Sequence, residues 1–256
     1  MSEVIIETKD GVTEIRLDRP KKKNAVTIAM YRAMNEALAA AAADANVGAV
    51  VFSGNGESFC AGNDVLDFMN GIGADADGEP PVGRFIRTIA TFEKPLVAAV
   101  QGAAVGVGTT MLLHCDLVYA SETARLQAPF VSLGLVPEAG SSLLLPRRIG
   151  YALAAEMILL GTAFDAVRAR AVGLVNAVIP EGELRAHALG KAAELARQPP
   201  NALRAARALL RGSPDELRAR IDEEGRLFMA ALGGAEAREA FTAFLERRPP
   251  DFRKLA

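Results

Sequence analysis

The sequence predicts an α/β domain that is followed by a helical C-terminal region. Two continuous apolar runs, Val47–Ser53 and Pro95–Val100, have the length and composition of strands buried on both faces of a parallel sheet. Each run ends in a glycine-containing turn, and the second turn leads into a helical segment and a third strand at Leu117–Ala120. This order of strand, glycine turn, helix and strand is the pattern of an α/β domain.

The N-terminal part of the chain begins with a predicted hairpin and a predicted helix. Val4–Thr8 and Val12–Leu17 alternate apolar and polar residues on either side of an Asp-Gly pair, which is typical of a β-hairpin. Thr27 precedes apolar residues at helical spacing and is expected to act as the N-cap. Asn70–Gly83 is rich in Gly, Asp and Pro and is predicted to be a mobile loop.

Helical periodicity dominates the chain after Leu143, with a short strand predicted at Val175–Ile179. The predicted helical segments are Gly150–Leu160, Phe164–Val172, Glu183–Arg197, Ala202–Arg211, Pro214–Leu232 and Ala235–Arg247. A boundary is expected near Pro199-Pro200, because a proline pair cannot continue a helix. The chain therefore divides into a core, 1–198, and an amphipathic region, 199–256, which must pack on its own core or on another subunit.

Composition excludes several classes of function. The chain has 256 residues, of which 50% are hydrophobic, and a net charge of −2, so a nucleic-acid surface is not expected. No apolar run is long enough to span a membrane, and the N-terminus is strand-like rather than a signal peptide. Two cysteines make no disulfide framework, so we expect a reducing compartment and a cytoplasmic protein.

Glu138 is the first candidate functional residue. It lies in Leu126–Ser142, at the end of an apolar run and just before a Gly-Ser-Ser turn. Desolvation would raise the pKa of this carboxylate toward the range that is useful for proton transfer. The simpler interpretation, which this segment alone favours, is an exposed carboxylate stabilised at a helix start.

Two glycine-containing turns form the second candidate feature. The first runs from Gly54 into Phe59–Asp64, and the second is Ala103–Gly108. Backbone N–H groups are free where a turn starts a helix, and two such groups from neighbouring turns can hold one oxygen as an oxyanion hole. For either turn alone, glycines that simply permit a tight turn are the simpler explanation.

Other chemistries have weaker patterns. Gly106–Gly108 lacks the third glycine of a dinucleotide-binding fingerprint. Cys60 has no convincing histidine partner, and both His114 and His187 are expected to be structural. Because the two histidines and two cysteines are scattered, no metal site is expected.

Several motifs, in the same order, resemble the crotonase family, which is also called the enoyl-CoA hydratase/isomerase superfamily. The motifs are Leu17–Pro20 with Asn24-Ala25, Ser58–Asp64, Gln101–Gly106, His114–Leu117, Leu133–Pro137 and Ala171–Asn176. The resemblance runs from about Val4 to Arg248–Phe252. It implies a spiral of ββα units with a helical C-terminal region that builds a homotrimer, often a hexamer.

The resemblance also implies an acyl-CoA thioester as substrate and no separate cofactor. Two backbone N–H groups, those of Asn63 and Val107, would hold the thioester oxygen as it becomes an enolate. A structural role is implied for Asp64, which would steady the first turn. The remaining residues implied to line the substrate site are Ala25, Ala61, Val65, Gly106, Thr110, Phe130 and Pro137. Lys21–Lys23 and Arg253-Lys254 are candidates for binding the CoA phosphates, and the loop Asn70–Gly83 would border the acyl pocket.

The chain differs from the hydratases of this family in the positions of its acid–base glutamates. Those enzymes carry two glutamates, and the matching positions are Thr110 and Phe130. Glu138 stands where the hydratases have a glycine, which is similar to the Δ3,Δ2-enoyl-CoA isomerases of the peroxisomal type. One base, in apolar surroundings, can remove a proton from C2 and return it at C4. The alternatives are another crotonase-type reaction, such as hydration or ring-type isomerisation, and a non-catalytic acyl-CoA-binding protein.

Overall fold

The apolar runs of the sequence form the centre of a six-stranded sheet. The computed structural model describes residues 3–69 and 73–255. The strands of this sheet are β1 (Val4–Lys9), β2 (Val12–Leu17), β3 (Ala49–Gly54), β4 (Leu96–Val100), β6 (Leu117–Ser121) and β9 (Ala177–Ile179), in the order β1-β2-β3-β4-β6-β9. The β1–β2 pair is the predicted antiparallel hairpin, and the other neighbouring pairs are parallel. The predicted α/β class is therefore confirmed.

A second, three-stranded sheet lies next to the glycine turns. It consists of β5 (Ala103–Val105), β7 (Arg125–Gln127) and β8 (Phe164–Asp165), in the order β5-β7-β8. The first pair is parallel and the second is antiparallel. The sequence did not predict these strands, because each has only two or three residues and too few side chains to show a period.

Both faces of the main sheet are covered by helices. The helices are α1 (Ile28–Ala43), α2 (Val65–Met69), α3 (Pro81–Thr91), α4 (Val107–Thr110), α5 (Ser141–Ile149), α6 (Tyr151–Leu159), α7 (Ala166–Ala171), α8 (Glu181–Ala196), α9 (Pro200–Arg211), α10 (Pro214–Leu232) and α11 (Ala235–Glu246). Along β3, Val50 and Phe52 join the main core, whereas Ala49 and Val51 pack with α8 on the other face. This alternation explains why the strand is apolar throughout.

Local sequence signals set the ends of several helices. The Thr27 hydroxyl oxygen accepts a hydrogen bond from the Met30 N–H at 3.2 Å, which confirms the predicted N-cap of α1. The loop prediction for Asn70–Gly83 is wrong at its end, because α3 begins at Pro81, where a proline needs no partner for a missing N–H. Residues 70–72 lie outside the described part of the chain.

Two further helix predictions need correction. Phe164–Val172 is not one helix, because Phe164 and Asp165 form β8 before α7 begins, and the Asp165 carboxylate accepts the Arg168 N–H at 2.8 Å. Helix α5 was not predicted, since its Ser-Ser start and the internal Pro146 obscure the helical pattern.

The C-terminal helices pack on this same chain. Helix α10 contacts α3 and α5, and α11 contacts α10 and the turn at Val131–Leu133. One wall of the pocket described below therefore comes from the C-terminal helices. Within the described residues, no helix has the length and apolar character that crossing a membrane requires.

Candidate active site

The two glycine turns are interlocked. The Cys60 N–H donates to the Ala103 carbonyl at 2.9 Å, and the Val105 N–H donates back to the Cys60 carbonyl at 2.9 Å. A Cβ atom at Gly108 would lie only 2.5 Å from the Cys60 carbonyl oxygen. Position 108 therefore requires a glycine, because the second turn approaches the first too closely to leave room for a side chain.

The two predicted oxyanion-binding amides have no hydrogen-bond acceptor among the residues that the structure describes. Asn63 pairs with Val26 in a parallel bridge, in which Val26 donates to Gly62 and accepts from Asp64. In this geometry the N–H of Asn63 points away from Val26. Neither this N–H nor that of Val107, the first residue of α4, donates a hydrogen bond to any residue of the described chain. Both can therefore bind a ligand oxygen.

The first turn is held by two sets of contacts that involve side chains. The Tyr31 hydroxyl, which lies in the core on α1, donates to Asn63 Oδ1 at 2.7 Å. Asp64 accepts from Arg19 Nη1 at 2.6 Å and from the backbone N–H groups at the start of α2. Although burial opposes the effect, these hydrogen bonds hold the pKa of the Asp64 carboxyl below its ordinary value. The Asp64 contacts are those expected of a structural role.

Glu138 is buried, so the interpretation as an exposed helix-start residue is wrong. Its side chain is in the core, with the residue only 8% exposed, and Gly140 rather than Glu138 is the N-cap of α5. The Thr110 hydroxyl donates to Glu138 Oε1, whereas Oε2 is buried and has no hydrogen-bond partner among the described residues. The two carboxylate oxygens are therefore inequivalent.

Burial raises the pKa of Glu138 to about 7. The negative charge of Glu224 adds to this effect, and the hydrogen bond from Thr110 opposes it. Phe130 and Leu135, from the apolar run before Glu138, are buried in the same core. A carboxylate in this range is half-protonated near neutral pH, which suits both the removal and the return of a proton.

The backbone around Glu138 has an unusual conformation. Ala139 and Gly140 both have positive φ, of 58° and 69°, and this conformation is costly for the alanine. His114 Nε2 lies 2.8 Å from the Ala139 carbonyl oxygen. Because burial lowers the pKa of His114 to about 4, the ring is neutral and donates this hydrogen bond. The prediction of a structural role for His114 agrees with this contact.

An apolar cavity of about 320 Å³ opens beside Glu138. Asn63 and Glu138 line it together with apolar side chains from α2, α3 and α10, among them Phe68, Ile86 and Phe228. The charged residues Arg87, Asp222 and Arg226 also line it. The sequence prediction missed the walls on α3 and α10, although the predicted helix Pro214–Leu232 already carried an amphipathic pattern.

Of the predicted site residues, only Asn63 and Glu138 line this cavity in the described part of the chain. Phe130 and Pro137 lie between β7 and α5, and the others lie in the two turns or in the segments next to them: Ala25, Ala61, Asp64, Val65, Gly106, Val107 and Thr110. The Ala25 carbonyl accepts from Arg19 Nη1 at 3.1 Å, and the Ala61 N–H donates to the Lys23 carbonyl at 2.9 Å.

The candidate phosphate-binding residues lie outside the cavity. Lys21–Lys23 are exposed around a short 3-10 turn, and Arg253 is exposed in the C-terminal turn. The side chain of Lys254 lies outside the described residues. Phosphate binding by these side chains stays a prediction.

The fold and the pocket define an α/β protein in which one buried carboxylate faces an apolar cavity beside two interlocked glycine turns. Residues 7–254 match the family model described as enoyl-CoA hydratase/isomerase, and the chain belongs to that family. The resemblance inferred from the motifs is thus confirmed.

The relatives carry both isomerase and hydratase names. The chain is similar to enoyl-CoA delta isomerase 2 of Rattus norvegicus, with 38% identity over 251 residues, and spans 96% of its own length and 64% of that relative. It is 36% identical to the 2,3-dehydroadipyl-CoA hydratase of Escherichia coli K12, with 99% of each chain covered. The crystal structure of an enoyl-CoA hydratase/isomerase from Pseudoalteromonas atlantica T6c superposes with a TM-score of 0.94 and 41% identity, covering 98% of this chain and 100% of that one. This likeness confirms the crotonase-like fold with its helical C-terminal region.

Proposed function

We propose that the chain shifts the double bond of a 3-enoyl-CoA to give the 2-enoyl-CoA, with Glu138 as the only acid–base group. The observation that carries this proposal is that Glu138 is the one buried carboxylate among the described residues that line the cavity. The other lining carboxylate, Asp222, is exposed and pairs with Arg87 at 3.0 Å. Isomerisation needs one base, whereas water addition as the hydratases perform it uses a pair of carboxylates.

The free oxygen of Glu138 is suited to move the proton. Oε1 is engaged by Thr110, so Oε2, which has no partner among the described residues, takes the proton from C2 of the acyl group. The C2–H electron pair then spreads over a dienolate that ends at the thioester oxygen. The same Oε2–H returns its proton to C4, and the double bond moves from C3–C4 to C2–C3. No cofactor takes part in this step, and CoA enters as part of the substrate.

The thioester oxygen gains negative charge during this step and is proposed to bind the N–H groups of Asn63 and Val107. Neither amide has an acceptor among the described residues, and their turns are joined by hydrogen bonds through Cys60. A donor of this kind contributes about 2.7–4 kcal/mol to the stability of a developing oxyanion. The apolar cavity walls exclude water from the dienolate, which favours return of the proton to carbon.

The hydratase names among the relatives make hydration the second candidate. At the positions of the two hydratase glutamates the chain has Thr110, which donates to Glu138, and Phe130, which is buried and apolar. Neither can activate water as a carboxylate does. Steady-state assays with a 3-enoyl-CoA and, separately, with a 2-enoyl-CoA and water distinguish the two reactions. The proposal expects turnover only of the 3-enoyl-CoA and loss of that turnover in Glu138→Gln. Preferential hydration, or binding without turnover, would contradict it.

We also propose that the protein assembles as a homotrimer or a dimer of trimers. Large apolar side chains are exposed on α6 and α9, and some of them are Tyr151, Leu159, Leu209 and Leu210. Light scattering coupled to size-exclusion chromatography tests this proposal, and a monomer across the micromolar range would contradict it.

A further inference from the structure

Helix α10 carries a buried carboxylate on the face that forms the cavity wall. Glu224 is only 4% exposed, and Ile221 and Phe228, three residues before and four residues after it, are buried on the same helical face. Both of these apolar side chains line the cavity. A carboxylate in such a position costs free energy unless its oxygens are bound, so its contacts indicate its role.

Both oxygens of Glu224 bind the start of α5. Oε2 accepts from the Gly140 N–H at 2.6 Å, and Oε1 accepts from the Ser142 N–H at 2.9 Å and from the Ser142 hydroxyl at 2.5 Å. Helix α5 has no side-chain cap of its own, because its N-cap is Gly140. Glu224 therefore supplies from α10 the hydrogen bonds that the first N–H groups of α5 require.

These contacts fix the main chain that carries the base. Gly140 lies two residues after Glu138, and the Ser141 N–H closes a turn onto the Glu138 carbonyl at 3.0 Å. The left-handed conformation of Ala139 is costly and needs anchors on both sides. The hydrogen bond from His114 to the Ala139 carbonyl is one anchor, and the Glu224 carboxylate is the other.

We propose that Glu224 is a positioning residue that holds Glu138 against the cavity and joins the base to the cavity wall on α10. This inference rests on the proposed function of Glu138. The negative charge of Glu224 acts on the same base, because two carboxylates close together in a buried region disfavour ionisation of the less well solvated one. Glu224 is engaged by three donors, whereas Glu138 has one among the described residues, so ionisation of Glu138 is the more poorly supported by hydrogen bonds.

Among the described residues, the charged side chains that line the cavity beside Glu138 are Arg87, Asp222 and Arg226, and Asp222 is exposed and paired with Arg87 at 3.0 Å. Tyr31 on α1 interacts with the charge of Glu138, and its own pKa is well above the ordinary value because of burial first and that charge second. His114 is neutral, as shown above. Arg220 on α10 donates to the Ser142 hydroxyl oxygen at 3.2 Å and so places a positive charge next to this network. Glu224 is thus the source of the like charge.

The test compares Glu224→Gln with Glu223→Gln, which removes an exposed carboxylate from the adjacent position of α10. Glu223 pairs only with Arg220, at 3.3 Å, and contacts neither the cavity nor α5 in the described structure. The carboxyl stretch of Glu138, isolated by infrared difference against Glu138→Gln, is followed as a function of pH. We expect Glu224→Gln to lower the protonation midpoint by about half a pH unit or more and Glu223→Gln to leave it unchanged. An equal midpoint in wild type and Glu224→Gln would overturn the inference.

A second variant allows the inference to be tested even if Glu224→Gln does not fold. Arg220→Gln leaves the carboxylate of Glu224 in place and removes the cation that donates to the Ser142 hydroxyl oxygen, so the Glu138 midpoint should rise, and an unchanged or lowered midpoint would count against the inference. The infrared signal does not depend on turnover. A wild-type protein without isomerase activity would therefore contradict the proposed function. A Glu138 protonation midpoint that is the same in the wild type, Glu224→Gln and Arg220→Gln would contradict the positioning role.

Discussion

Replacing Glu138 by glutamine should stabilise the folded protein, and the gain should depend on pH. In the wild type, burial holds the pKa of Glu138 at about 7 against an ordinary value of 4.5, so folding favours the protonated form. Stability from this group is fully present below pH 4.5 and is lost as the pH rises through about 7. Each pH unit between the two values corresponds to about 1.4 kcal/mol, so the full loss is about 3 kcal/mol.

Glutamine resembles the protonated acid in size and charge, so the variant should not lose folding stability as the pH rises through about 7. The free energy of unfolding, measured by urea denaturation at fixed protein concentration from pH 4 to pH 8.5, should be similar for both proteins at the acid end. At pH 8 Glu138→Gln should be more stable by up to about 3 kcal/mol. A difference that stays constant across the pH range, or a less stable variant at pH 8, would refute the reasoning that Glu138 is a desolvated base.

Three further substitutions test other parts of the site. Thr110→Val removes the hydrogen bond that lowers the pKa of Glu138, so the acid limb of the pH profile of kcat/KM should move up by about half to one pH unit; an unmoved limb would contradict this. Tyr31→Phe removes the hydrogen bond to the Asn63 side chain and should lower kcat/KM about tenfold while the fold stays intact. Steady-state kinetics and circular dichroism measure the two effects, and a variant with the kinetics of the wild type would show that this contact does not help to position the substrate. Gly108→Ala places a Cβ atom 2.5 Å from a facing carbonyl oxygen and should lower the free energy of unfolding by about 1–3 kcal/mol, whereas Gly190→Ala in α8, where a Cβ atom meets open space, should not; equal effects in denaturant titrations would argue against the close approach.

The central strands and the two turns were predictable because their signals are local. A run such as Val47–Ser53 is apolar at every position, and glycines follow it where the chain must turn. Glu138 was suspected from its apolar surroundings, although its own segment favoured an exposed helix start. The absence of acids at Thr110 and Phe130, in a chain that resembles the crotonases, made it the expected base.

The cavity and the anchoring of the base could not be predicted in this way. The contact between Glu224 and Gly140 joins residues 84 positions apart, and no local pattern announces it. The wall on α3 begins in a segment whose Gly and Pro content predicted a loop, because proline at the first helical position is indistinguishable from proline in a turn. The conformation of Ala139 could not be predicted from the sequence either, since alanine is uncommon at positive φ.

The most direct test of the account follows an isotope through the reaction. A 3-enoyl-CoA deuterated at C2 is converted in ordinary water during a single turnover, and the product is analysed by NMR and mass spectrometry. Because one carboxyl oxygen moves the proton inside an apolar cavity, we predict that part of the deuterium removed from C2 appears at C4, and that Glu138→Gln forms no product. Complete loss of the label to water with no transfer to C4, incorporation of solvent oxygen into the acyl chain, or turnover by Glu138→Gln would contradict the single-base isomerase.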